Sequence, residues 1–134
     1  MLGRELKILV VDDDPTTLQI TKAVLENDGH EVHTHATSHG TLSKVQQIAP
    51  HVVVMDVKMP GITGEELADL VRSKMSTEQV AILFYSAVDQ SELVEWVSRV
   101  GALGIIEKRG DPEYFLDRFR DLTDPLFKRR RSAG

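Results

Sequence analysis

Cysteine is absent from this chain of 134 residues, which excludes thiol catalysis, disulfide redox chemistry and thiolate-ligated zinc or iron–sulfur sites. The core alone must hold the fold. A chain of this length buries roughly two thirds of its unfolded surface, enough for one domain without covalent staples. Basic charge is not in excess: 16 Lys and Arg stand against 21 Asp and Glu, a net of −5, which argues against a domain built mainly to grip nucleic acid. Long apolar runs are also missing, and none approaches the ~20 residues that span a bilayer. The start, Met1 to Glu5, leads into a strand-like run without the apolar core and small-residue cleavage site of a signal peptide. A soluble, unprocessed, cytoplasmic protein with no membrane contact is the expectation.

What is present is an alternation of short apolar runs with longer amphipathic stretches. Leu6–Val11, Val32–Ala36, Val52–Met55, Ala81–Tyr85 and Leu103–Ile106 read as strands. The first is almost wholly apolar and the third apolar throughout, as strands buried on both faces are. Between them lie helical stripes. Asp14 is expected to cap the first helix with Pro15 at its first position, Ser38 the second, and Thr63 with Glu66 the third as a capping box. Asp89 and Glu92 form a second box-like pair, and Asp111-Pro112 opens a last helix carrying Phe115, Leu116, Phe119 and Leu122. Five such units predict an α/β fold: a doubly wound parallel sheet with right-handed crossovers and helices on both faces.

In such sheets ligands bind beyond the carboxyl ends of the strands. Those ends carry Asp12, Asp13 and Asp14, then Asp56, Ser86, and Glu107 with Lys108. An acidic residue after a strand usually caps a helix, which suffices for Asp14. The set asks for more. Two carboxylates ~4 Å apart repel by roughly 4 kcal/mol at an effective dielectric near 20, so a converging group calls for a cation. Oxygen ligands without thiols favour Mg²⁺, or Mn²⁺. A lysine opposite them supplies positive charge for a phosphoryl group, and a serine a hydrogen bond to it.

The segments Val10-Val11-Asp12-Asp13-Asp14-Pro15, Val54-Met55-Asp56-Val57-Lys58-Met59-Pro60-Gly61 with Gly64, Tyr85-Ser86-Ala87 and Glu107-Lys108 together resemble the receiver domain of two-component response regulators. The resemblance covers about residues 6 to 122. It implies a flavodoxin-like, CheY-like (βα)5 three-layer sandwich with strand order 2-1-3-4-5. By matching position it makes Asp56 the phosphoacceptor, Asp13 and Asp56 direct metal ligands, Asp12 a ligand through water and the Lys58 carbonyl a further ligand. Ser86 and Lys108 would hold phosphoryl oxygens, with Ala87 leaving room. It implies a histidine kinase or phosphotransfer protein as donor and a switched partner surface on the fourth helix, fifth strand and fifth helix, through which a homodimer could also form. Such a domain catalyses only its own phosphorylation and dephosphorylation.

Two positions depart from the pattern. Lys108 is followed by Arg109 where the family has proline, and Ile105 stands where an aromatic rotamer switch is common. These leave a pseudo-receiver, an interaction module not switched by phosphate, as one alternative. Another comes from Asp12-Asp13-Asp14-Pro15-Thr16, which also resembles the Asp-x-Asp-x-Thr motif of haloacid dehalogenase-like phosphohydrolases, with Asp12 as nucleophile, Asp14 as acid and Ser86, Lys108 and Asp111 as later motifs.

His33 and His35 alternate on the second strand near His30 and His39, a weak zinc pattern that no carboxylate or cysteine completes. Trp96 reads as core on the fourth helix. The receiver is expected over residues 1–124, and Lys128-Arg129-Arg130-Arg131 beyond Pro125 reads as a solvated tail or the start of a linker over 125–134. About a dozen residues follow the last expected helix, too few for a DNA-binding output domain. Output is therefore expected through a downstream protein or a fused effector domain outside this chain, with no direct DNA binding here.

Overall fold

Runs with no polar face become the central strands, and stripes of period 3.6 become the helices that cover them. The computed structural model describes the backbone of residues 5–133 and the side chains of residues 5–127. In chain order the elements are β1 (Lys7–Val11), α1 (Pro15–Asn27), β2 (Glu31–His35), α2 (Thr41–Ile48), β3 (Val52–Asp56), α3 (Gly64–Lys74), β4 (Ala81–Ser86), α4 (Val94–Val100), β5 (Gly104–Glu107) and α5 (Pro112–Ala133). The sheet has five strands in the order β2-β1-β3-β4-β5, and every pairing is parallel. The expected doubly wound α/β sandwich is what the chain forms.

Strand alternation builds two cores. Ile8, Val10, Val52, Val54 and Leu83 face α1 and α5, meeting Leu18, Leu25, Phe115 and Phe119. Leu9, Val11, Val53, Met55, Ile82 and Phe84 face the other way, onto Val45 of α2, Leu67 and Val71 of α3, and Val100 of α4. Edge strand β2 buries only Val32 fully, which is why its histidines are tolerated there.

Three local expectations are corrected. Ser38 does not cap α2, which begins at Thr41 behind Gly40 in the left-handed region at φ 78; its hydroxyl donates instead to the Pro60 carbonyl at 3.2 Å. Asp89 and Glu92 do not open α4. Asp89 accepts from the Ser91 N–H to cap a single 3-10 turn, Gln90–Glu92, and α4 begins at Val94 with no side-chain cap. Between them Leu93 is fully buried and fixes the change of direction. The last helix does not stop near Leu122 but runs through Pro125 to Ala133, because Leu126 and Phe127 extend the stripe of Phe115 and Phe119 into the core. An interior proline costs about 3 kcal/mol, and burying a Leu and a Phe returns about 1.5–3 kcal/mol each. The side chains of the basic run at 128–131 lie outside the described residues.

Candidate functional site at the sheet edge

Parallel pairing carries every strand's carboxyl end to one side. Val11 aligns with Met55, Asp56 with Tyr85 and Ser86 with Glu107, so the residues just beyond Val11 and Glu107 meet Asp56 and Ser86 at that edge. One carboxylate oxygen from each of Asp12, Asp13 and Asp56 lies within 4.8 Å of the others. Asp12 and Asp56 are buried, whereas Asp13 is exposed. Lys108 reaches in from beyond β5, with Nζ 2.8 Å from Asp12 Oδ2 and 3.2 Å from Asp56 Oδ1.

The local backbone holds these groups. Asp12 Oδ1 accepts from the Asp14 N–H at 2.9 Å, and Asp56 Oδ1 receives a long contact from the Lys58 N–H at 3.4 Å. The Lys58 side chain points to solvent. The Lys108 N–H donates to the Ser86 carbonyl at 2.8 Å, and no peptide bond among the described residues is cis, so Lys108–Arg109 is trans. Lys108 reaches both carboxylates all the same. Ser86 is buried and its Oγ accepts from the Val88 N–H at 3.0 Å. Ala87 is exposed above it, and Ile105 is half-buried.

The charges are unbalanced. Burial first, and then the neighbouring Asp12, push the Asp56 carboxyl above the ordinary carboxylate range, with Lys108 opposing. For Lys108, burial works against the charge, but the hydrogen bond to Asp12 and the charge of Asp56 outweigh it and hold the ammonium above its usual range. Three carboxylates and one ammonium leave a formal excess of two negative charges. The donors are all oxygen, a set that fits a hard divalent cation.

Other sequence candidates go elsewhere. Asp14 caps α1, its carboxylate accepting from Thr16 N–H at 3.0 Å and Thr17 Oγ1 at 2.9 Å. The Thr17 hydroxyl foremost, then the Thr16 amide, hold it below the usual carboxylate range. Asp111 caps α5 through Glu113 N–H. His30 is buried, its Nδ1 accepting from Leu6 N–H at 3.0 Å, while His33 pairs with Glu31 and His35 with the His39 carbonyl. Among the described residues the histidines form no metal-holding group. Trp96 is half-buried, with the Arg99 guanidinium 4.8 Å from its ring.

Two residues of the receiver-like segments, Tyr85 and Gly64, take parts in the site that the sequence did not assign them. The Tyr85 ring lies 5.3 Å from Lys108 Nζ and packs on Phe115 at 4.8 Å, so it floors the lysine from the α1–α5 side; the period of β4 was the available signal. Gly64 meets the backbone of β3's end so closely that a Cβ would stand 2.1 Å from the Asp56 carbonyl oxygen.

Comparison with known proteins bears on the same residues. The profile of the Response regulator receiver domain matches residues 8–120. Protein PilH of Pseudomonas aeruginosa is 31% identical over 110 residues, covering 82% of this chain and 91% of that protein. Response regulator GacA of Pseudomonas protegens is 35% identical over 106 residues, but those span only 48% of its length. Among solved structures, the chemotaxis response regulator CheY4 of Vibrio cholerae superposes with a TM-score of 0.78 at 31% identity, over 87% of this chain and 97% of that one. Profile, relatives and backbone agree over the stretch that carries the acidic cluster and its lysine, and the chain accordingly belongs to the family of response regulator receiver domains.

Proposed function

We propose that this domain accepts a phosphoryl group on Asp56 from a phosphohistidine donor, a histidine kinase or a phosphotransfer protein, and switches a protein-binding surface in response. The observation that carries the reading is the convergence of Asp12, Asp13 and Asp56 within 4.8 Å opposite Lys108. An Asp56 carboxylate oxygen forms the new bond to phosphorus as the bond from phosphorus to the donor nitrogen breaks, and the nitrogen leaves with its electron pair. Asp12, Asp13, Asp56 and the Lys58 carbonyl are the residues that would hold Mg²⁺, or Mn²⁺ in its place. When bound, the cation supplies the positive charge that neutralises the phosphoryl oxygens. Lys108 adds a second positive charge over the same group, and Ser86 turns its hydroxyl from the Val88 amide toward it.

The signal then leaves through the loop after β4 into α4, with α4, β5 and α5 as the output and dimerisation face. Its downstream target is a protein or an effector domain joined to this one, reached in the cytoplasm where the donor kinase acts. The domain works as a signalling acceptor, its chemistry confined to its own phosphorylation and dephosphorylation.

Acetyl phosphate with Mg²⁺ tests the reading. Wild type should gain one base-labile, acid-stable phosphoryl group, and Asp56→Asn none. Equal labelling of that variant, or label mapped to Asp12, overturns the assignment; a folded wild type that takes no label returns the domain to the pseudo-receiver reading.

A further inference from the structure

The four-residue loop from Lys108 to Asp111 carries the ammonium that reaches Asp12 and Asp56, yet Gly110 sits in it at φ 71 with open space where a Cβ would stand. Its ends are tied. Lys108 N–H bonds the Ser86 carbonyl at 2.8 Å, and Asp111 Oδ1 accepts from Glu113 and Tyr114 N–H at 3.0 and 3.3 Å. Between those ends Arg109 spans the loop from outside. Its Nε and Nη2 both donate to Glu107 Oε2 at 3.2 Å, and its guanidinium carbon lies 4.1 Å from the centroid of the Tyr114 ring. Glu107 is the last residue of β5 and Tyr114 belongs to the first turn of α5, so one planar side chain ties strand to helix on either side of the loop that carries Lys108.

We propose that Arg109 is a positioning residue for Lys108: its fork on Glu107 and its stack on Tyr114 fix the loop that delivers the ammonium to the phosphoryl site. This rests on the phosphoacceptor reading above. A lysine stem has four rotatable bonds and cannot hold its own head group still, so the backbone that carries it must be fixed. Each interaction of Arg109 alone is weak, as exposed ion pairs and cation–π pairs are. Together they act on a short loop whose glycine supplies no stiffness. A planar guanidinium gives two in-plane N–H bonds to Glu107 while its face stacks on Tyr114, a geometry that the compact ammonium of a lysine does not reproduce.

The test is beryllofluoride uptake with Mg²⁺, followed by the ¹⁹F resonances of the bound species, together with Mg²⁺ affinity from amide shifts. Arg109→Ala should weaken beryllofluoride binding about three- to thirty-fold, the range expected when an exposed ion pair and a cation–π pair are removed together, and leave Mg²⁺ binding no weaker, because Lys108 competes with the cation for Asp12 and Asp56. Arg109→Lys should not restore it, and Tyr114→Leu should reproduce the loss. The double variant Lys108→Ala/Arg109→Ala should bind no worse than Lys108→Ala alone, because Arg109 acts only through Lys108. Additive losses would instead show a general effect on the loop and overturn the proposal. Normal beryllofluoride binding by Arg109→Ala overturns it too, including the case in which only transfer from a protein donor is lost, which would make Arg109 a partner contact. Wild type that binds no beryllofluoride overturns the phosphoacceptor reading and this proposal with it, whereas wild type that binds beside an equally competent Arg109→Ala overturns this proposal alone.

Discussion

Lys108 Nζ lies 3.2 Å from Asp56 Oδ1, joining the end of β5 to the end of β3 across the intervening β4. The same ammonium is 2.8 Å from Asp12 Oδ2. One cation therefore serves two buried carboxylates, and Asp13 brings a third to the same place. At an effective dielectric near 20, like charges ~4 Å apart repel by roughly 4 kcal/mol. A single lysine leaves that repulsion only partly offset, which makes the site sensitive to anything that changes its charge.

Asp56→Asn should therefore stabilise the metal-free protein, by about 1 kcal/mol or a few degrees in Tm, since it removes the buried charge and keeps the shape. The dependence on pH has a definite sign. A carboxyl whose folded pKa is raised, as burial raises that of Asp56, costs stability once the unfolded chain ionises. The cost builds as pH rises from ~4 toward the folded value and is relieved as pH falls back through it. Thermal melts of both proteins without Mg²⁺ should diverge at neutral pH and converge near pH 4; an unchanged gap would place the penalty elsewhere.

Millimolar Mg²⁺ should raise the Tm of wild type by mass action, about 1.4 kcal/mol at ten times the dissociation constant. Asp13 is the exposed member of the cluster, so Asp13→Ala should fold normally and lose most of that gain. Calorimetric scans across a Mg²⁺ series check this, and identical responses would remove Asp13 from the ligand set.

Ser86 Oγ is engaged by the Val88 N–H at 3.0 Å, which ties the hydroxyl to the loop leading into the 3-10 turn and α4. Turning that hydroxyl toward a phosphoryl mimic frees the Val88 amide and biases the loop between two states. Beryllofluoride with Mg²⁺ should shift the amide resonances of residues 87–100 and the emission of Trp96. Ser86→Ala should blunt both changes and leave Mg²⁺ affinity intact. Silence in those residues with the mimic bound would move the output face elsewhere.

Gly64→Ala should be among the most damaging single changes. The added Cβ would stand 2.1 Å from the Asp56 carbonyl oxygen and 2.7 Å from Val57 Cα, and backbone on both sides cannot yield as a flexible side chain would. A loss of about 3 kcal/mol or more in urea unfolding is expected, with Mg²⁺ affinity weakened because α3 is levered away from the end of β3. A wild-type midpoint would refute the contact.

Sequence alone was enough for the sheet, its parallel sense and the edge where the acidic residues gather, because unbroken apolar runs such as Val52–Met55 can only be buried on both faces and crossovers can only wind one way. It was enough for the α3 capping box, Thr63 with Glu66, and for Asp14 at the head of α1, since those bonds form within a few residues. What depended on distant partners was not legible. Ser38 is a good cap residue by type, but its hydroxyl is drawn to Pro60 from 22 positions away. The start of α4 was set by the burial of Leu93 and not by Asp89. The last helix outran its proline because Leu126 and Phe127 found core to fill. At the site, residue types and spacing named Asp12, Asp13, Asp56, Ser86 and Lys108, while the distances among them and the Tyr85 floor were decided by how β1, β3, β4 and α5 come together, a long-range property that no local pattern encodes.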